Sequence, residues 1–159
     1  QQQLLPYQQQ ALSLSADARP TDNDNLHLTL FFLGQTSAEQ QQHLLSEASN
    51  ISVPAFRLTL DYLACFAKPK ILYLAPSVIP AELLALQQQL AAICKKAGFV
   101  ELHPYYRPHI TLARHAVCPA DLQQTVAPLT LDIAQFALYH STQQQDRLCY
   151  LPQRVFKLV

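Results

Sequence analysis

Leu26-His27-Leu28-Thr29-Leu30 and His109-Ile110-Thr111-Leu112 are nearly the same stretch occurring twice in one chain. Each alternates aliphatic with polar residues, the period of two that marks a half-buried β-strand. In a strand, residues i and i+2 share a face, so His27 sits with Thr29 and His109 with Thr111, opposite the aliphatic positions. Each strand gives its aliphatic side chains to a core and presents an imidazole and a hydroxyl elsewhere. One such strand is unremarkable; repetition of its surroundings changes the reading.

Before the first motif lies a Gln- and Leu-rich stretch, residues 1–12, followed by a polar loop containing Pro20. Before the second, Leu83, Leu84, Leu86, Leu90 and Ile93 recur near helical spacing and predict a helix from about residue 80 to 97. Pro80 opens it, Lys95 and Lys96 lie in its last turn, and Gly98 stops it. After the first motif, Ser37 with Gln40 is a capping-box pattern for a helix to about residue 50. A strand pair is predicted next, residues 55–64 and 71–75, turning at Lys68-Pro69-Lys70. After the second motif, residues 115–128 read as irregular, followed by a similar pair, 136–139 and 147–151, turning at 143–146. Residues 155–158 predict a last strand. The order is helix, loop, His-x-Thr strand, connection and hairpin, twice over. The second helix follows the strand at 71–74 while the first follows nothing, so a further strand is expected upstream of Gln1. The chain also contains no Met.

The bulk properties set outer limits. At 159 residues, half of them hydrophobic and 14% charged, the chain predicts one globular domain over residues 1–159. No apolar run approaches the ~18 residues of a membrane helix, and no secretion signal is visible at the start. Net charge is zero, which excludes a broad basic face; an RNA partner should be held by an end or a single phosphate, not along a duplex. Cys65, Cys94, Cys118 and Cys149 have no C-x-x-C or zinc-like spacing, and read as reduced, mostly buried thiols of a cytoplasmic protein.

Two imidazoles with two hydroxyls suit a phosphodiester. One neutral histidine takes a proton from the attacking oxygen while the other, as imidazolium, protonates the leaving oxygen. Thr29 and Thr111 can hydrogen-bond the non-bridging oxygens and align the phosphorus. The scheme needs neither metal nor cofactor. A zinc site would need a third ligand from His103, His115 or an acid, and neither motif strand carries a carboxylate or thiol on its histidine face. Arg114 can hold a phosphate bidentately, although strict alternation puts it opposite His109 unless the strand bulges. Phe32 can stack on a base, as can Tyr105 and Tyr106, with core packing as the plain alternative. Arg107, Lys68 and Lys70 read as solvated surface that can attract phosphate. His43, His103, His115 and His140 have no symmetric partner and read as incidental.

Asn-Leu-His-Leu-Thr-Leu-Phe-Phe-Leu-Gly (25–34) and Arg-Pro-His-Ile-Thr-Leu-Ala-Arg (107–114) closely resemble the motifs of the two-histidine phosphoesterases. Within them the resemblance is to bacterial RNA 2′,3′-cyclic phosphodiesterases, also named 2′-5′ RNA ligases. It covers most of the chain: Phe56 onward resembles the family's first hairpin, and Phe-Ala-Leu-Tyr-His-Ser (136–141) its late strand. The resemblance implies an α+β fold of two pseudo-symmetric lobes, each an antiparallel sheet with outer helices, and an active-site cleft between them. It implies hydrolysis of a 2′,3′-cyclic phosphate on RNA or a nucleotide to a 2′-phosphate, with His27 as acid on the 3′-oxygen and His109 as base on water. It also implies Thr29, Thr111 and Arg114 on phosphate and Phe32 near the base; Tyr106 stands beside them as a substrate-binding candidate from its loop, and a monomer is expected. A 2′-5′ ligation at the same site is its companion activity. The alternative from another class is a non-catalytic module that binds RNA ends or nucleotides. The loop before the second motif departs from the family, reading His103-Pro-Tyr-Tyr-Arg-Pro where an Arg is expected before the first Pro.

Overall fold

In the computed structural model, which describes residues 1–119 and 121–159, the helices follow the local signals closely. Helix α1 spans Leu5–Leu12 behind a short 3₁₀ turn at Gln2–Leu4. Helix α2, Ala38–Ala48, opens on the expected capping box: Ser37 Oγ accepts from Gln40 N at 3.1 Å, and Gln40 Oε1 accepts from Ser37 N at 3.0 Å. Helix α3, Ala81–Lys96, begins directly after Pro80, and the chain leaves it through Gly98 at φ +90°, a left-handed turn that glycine adopts without steric cost. Among the described residues no helix is long and apolar enough to cross a membrane.

The strands are β1 (Arg19–Pro20), β2 (Phe56–Phe66), β3 (Ile71–Ala75), β4 (Ile110–Arg114), β5 (Gln123–Ile133), β6 (Gln135–Gln144) and β7 (Arg147–Lys157). Five form one antiparallel sheet in the order β1-β4-β3-β2-β5, and β6 pairs with β7 in a two-stranded sheet among the described residues. The first hairpin, β2–β3, therefore sits beside the second His-x-Thr motif. The second hairpin reaches the first motif, where Leu148 O of β7 accepts from Asn25 Nδ2 at 2.6 Å. Each half thus lends its hairpin to the other half's motif. The two lobes that the resemblance implies are unequal: one sheet has five strands, and the other is a hairpin beside an extended segment.

Leu60, Leu63, Leu72, Leu74 and Leu112 are at 0% exposure where α1 and α3 cover the large sheet. Burying each such side chain contributes about 1.5–3 kcal/mol relative to leaving it in water. A second cluster, Leu44, Cys94 and Phe99 with Phe31 and Leu33, ties α2 and α3 to the segment after the first motif.

Three expectations are corrected. Residues 123–133, partly read as irregular, form the edge strand β5; Val126 is buried and Leu129, Leu131 and Ile133 are half-buried along it. Its register against β2 breaks between Leu60 and Tyr62, where Val126, Ala127 and Pro128 bow out. A proline tolerated on an edge is what hid the strand. Ala120, inside the stretch 115–128 expected to be irregular, lies outside the described residues. The predicted strand at 155–158 is no separate element but the end of β7, which runs through Pro152 at a shift in register. Cys65 and Cys118 are joined in a disulfide 53 residues apart in sequence, not free thiols. Nothing in their spacing signals it, because folding brings the end of β2 against the loop after β4. Cys94 is a buried thiol as expected, and burial pushes it up to about 11.

Candidate active site

The two motifs meet across a single backbone bridge, Leu28 to Ile110, antiparallel. Carrying that register one residue either way sets His27 opposite Thr111 and Thr29 opposite His109. Residues opposite one another in an antiparallel pair share a face. All four polar side chains therefore project to one side, while Ile110, at 4% exposure, and the half-buried Leu28 turn to the core. A local twofold through the bridge exchanges one His-Thr pair for the other.

Each ring is held in the same way. His27 Nδ1 lies 2.5 Å from the Asn25 carbonyl oxygen, and His109 Nδ1 lies 2.7 Å from that of Arg107. A carbonyl oxygen only accepts, so both Nδ1 atoms carry hydrogen and donate. That leaves Nε2 on each ring as the nitrogen able to take or give a proton. The residue two places upstream fixes the tautomer in both halves, a device the His-x-Thr spacing alone did not reveal.

Beyond the rings the halves differ. His109 is half-buried, its ring 5.2 Å from Phe66 and 5.3 Å from Tyr73, both edge-on, while those two rings stack at 4.3 Å. Loss of water around it lowers His109 below the usual imidazole range. His27, His103 and Arg114 push the same way through their charge, against the raising effect of the Arg107 carbonyl. His103, read as incidental, is therefore an electrostatic neighbour of the site. Phe66 and Tyr73 were missed because their strands read only as a hairpin. The signal available was their placement: Phe66 pairs with Ile71, two residues from Tyr73, so both rings share a face.

Arg114 joins that face through a bulge. β3 pairs Ile71 with Arg114 and Leu72 with Ala113, but Tyr73 with Thr111, leaving Leu112 as an extra residue. Leu112 and Ala113 are both fully buried in consequence, and Arg114 lies on the face of Thr111. The Leu112 carbonyl is satisfied by Thr21 N at 2.9 Å and by Nε2 of buried Gln8 at 3.0 Å. Among the described residues neither Arg107 nor Arg114 forms an ion pair, so both guanidinium charges are available to an anion.

The remaining expected residues separate clearly. Phe32 is 66% exposed and lines a groove of about 1080 Å³ that also carries His27, Thr29 and Tyr150, with Tyr139 and His140 of β6 on its wall. Tyr106 packs against the core, and its hydroxyl donates to the Thr29 carbonyl at 3.4 Å, bridging the second motif's loop to the first motif. Burial holds its phenol neutral by pushing it above the usual range. Tyr105, its neighbour, is 75% exposed. Lys68 and Lys70 lie in the β2–β3 turn. Among the described residues no three His, Cys, Asp or Glu side chains gather as a metal-binding group.

The lowered His109 has a measurable consequence. The acidic limb of kcat/KM reports the free enzyme's base; with His109 as the base that the resemblance implies, the limb should fall below the ordinary imidazole value of about 6.5. Phe66→Ala readmits water beside the ring and should move the limb back up. An unmoved limb in that variant would show that Phe66 does not control His109.

Comparisons with known proteins place the chain in a family. The model of the 2′-5′ RNA ligase superfamily matches residues 7–145. The RNA 2′,3′-cyclic phosphodiesterase of Escherichia coli strain K12 is 32% identical over 140 residues, covering 88% of this chain and 80% of that protein. The crystal structure of E. coli LigT complexed with 3′-AMP superposes with a TM-score of 0.85 at 29% identity, covering 99% of this chain and 90% of that one. The LigT complex with ATP gives a TM-score of 0.80 at 29% identity over 99% and 89% of the two chains. With both histidine motifs inside the matched region, the chain belongs to the 2′-5′ RNA ligase superfamily.

Proposed function

We propose that this chain is an RNA 2′,3′-cyclic phosphodiesterase, opening the cyclic phosphate at an RNA end or on a nucleotide to a 2′-phosphate. The observation that carries the reading is the meeting of the two His-Thr pairs across the Leu28–Ile110 bridge, with both Nδ1 atoms committed to backbone carbonyls. The two Nε2 atoms are then left free to serve one phosphate. His109, kept neutral by burial, takes a proton from water as it attacks phosphorus. His27 gives a proton to the departing 3′-oxygen, in line with the attack. The water oxygen becomes part of the 2′-phosphate and the 3′-hydroxyl is released.

Thr29 and Thr111 donate to the non-bridging oxygens, and Arg114 neutralises charge that builds on them. Phe32 offers an exposed ring to a base. Tyr106 serves the site by holding Thr29. If a 5′-hydroxyl replaces water as nucleophile, the same proton transfers yield a 2′-5′ phosphodiester, so ligation is the same chemistry with a different acceptor. Neither scheme needs a metal or a cofactor. Both motifs come from one chain, which supports action as a monomer. A cytoplasmic setting, where RNA ends are met, rests on the substrate alone, since the Cys65–Cys118 disulfide removes the argument from reduced thiols.

The test is turnover of an oligonucleotide ending in a 2′,3′-cyclic phosphate, in ¹⁸O-labelled water with excess chelator. The expected product is a 2′-phosphate carrying one ¹⁸O. Tight binding without turnover would instead make the chain an end-binding module, and loss of turnover in chelator would require a metal.

A further inference from the structure

His109 is walled by two rings, but His27 stands on an exposed, extended segment that has one backbone bridge. A hydrogen bond from Nδ1 leaves the ring free to swing about that contact. What limits the swing comes from β7. The Tyr150 ring lies 4.6 Å from the His27 ring, tilted by 55°. Two residues earlier on β7, the Leu148 carbonyl accepts from the side chain of Asn25, which is 8% exposed. Asn25 in turn supplies the carbonyl that receives His27 Nδ1. Residues 25 and 27 are therefore gripped by 148 and 150 in two successive rungs, across more than a hundred residues of sequence.

We infer that Tyr150 is a positioning residue for His27, its ring doing for the first histidine what Phe66 and Tyr73 do for the second, with Asn25 as the anchor that brings β7 into register. Tyr150 stands in the wall between the large groove and a smaller pocket formed by residues 22–25 and the β6–β7 turn. Removing it opens the back of the His27 ring to water and gives the imidazole a second resting place. Misplacing a reacting group by about 1 Å can lower a rate by about 10²-fold. The ring provides the contact; among the described residues the hydroxyl has no hydrogen-bond partner.

This rests on the reading of His27 as the proton donor, so the experiment has two independent arms. In the kinetic arm, Tyr150→Ala should lower kcat about 10–10²-fold with KM changed by less than about threefold, and Tyr150→Phe should retain wild-type kcat. In the second arm, histidine side-chain ¹⁵N spectra should show His27 as the Nδ1–H tautomer in wild type and in Tyr150→Phe, and a mixture in Tyr150→Ala, with His109 unchanged. Should the alanine variant fail to fold, Tyr150→Leu, which keeps apolar bulk without a ring, takes its place in both arms. Wild-type kcat in the alanine or leucine variant, or a His27 tautomer that does not respond, overturns the inference. Equal loss of kcat in the phenylalanine variant overturns it too, since the hydroxyl would then be the active part. If wild type has no turnover at all, the proposed function fails, while the spectra still decide the role of Tyr150.

Discussion

Replacing either His27 or His109 by alanine is expected to lower kcat by about 10²–10⁴-fold, the usual contribution of a positioned general acid or base. The two losses should not add. In the proposed reaction the rings act on opposite sides of one phosphorus, so once one proton transfer is gone the other has little left to accelerate. Single-turnover rates on a cyclic-phosphate oligonucleotide measure this. A substrate whose leaving group needs no proton separates the roles. On a nucleoside p-nitrophenyl phosphodiester, His27→Ala should regain most of its lost rate and His109→Ala should regain none. Recovery in His109→Ala instead would reverse the assignment of acid and base.

The second large effect belongs to Arg114. The bulge at Leu112 turns it onto the face of Thr111, and no carboxylate among the described residues competes for it. A hydrogen bond to a charged group contributes about 1.5–3 kcal/mol, so Arg114→Ala should lower kcat/KM by about 10–10²-fold. Arg114→Lys should recover only part of this, because an ammonium restores charge without the planar pair of donors. Steady-state kinetics of the three proteins decides it. Full recovery by lysine would reduce the arginine to a source of positive potential.

Much of this was legible in the sequence because it depends on local rules. The capping box at Ser37 and Gln40, the stop at Gly98 and the alternation in both His-x-Thr motifs need only near neighbours. That the motifs belong together followed from the repeated surroundings. What the sequence did not disclose was set by distant contacts. Arg114 faces the site only through a bulge fixed by pairing with β3 and by a hydrogen bond from Gln8, over a hundred residues away. Phe66 and Tyr73 become a wall for His109, and Tyr150 for His27, only when the hairpins exchange halves. The Cys65–Cys118 disulfide has the same origin. Pro128, an ordinary strand breaker, concealed β5 because an edge can bow around it. Tyr106, expected beside a base, is packed against the core where its hydroxyl reaches Thr29.

Two motifs about eighty residues apart, from His27 to His109, are proposed to act on one phosphate. The decisive measurement is a titration of the protein with adenosine 2′-monophosphate while following the side-chain ¹⁵N signals of both histidines. His27 and His109 Nε2 should shift together, with one dissociation constant and one nucleotide per chain. Movement of a single ring, or two unequal constants, would mean that the histidines serve separate sites and that the shared acid–base pair does not exist.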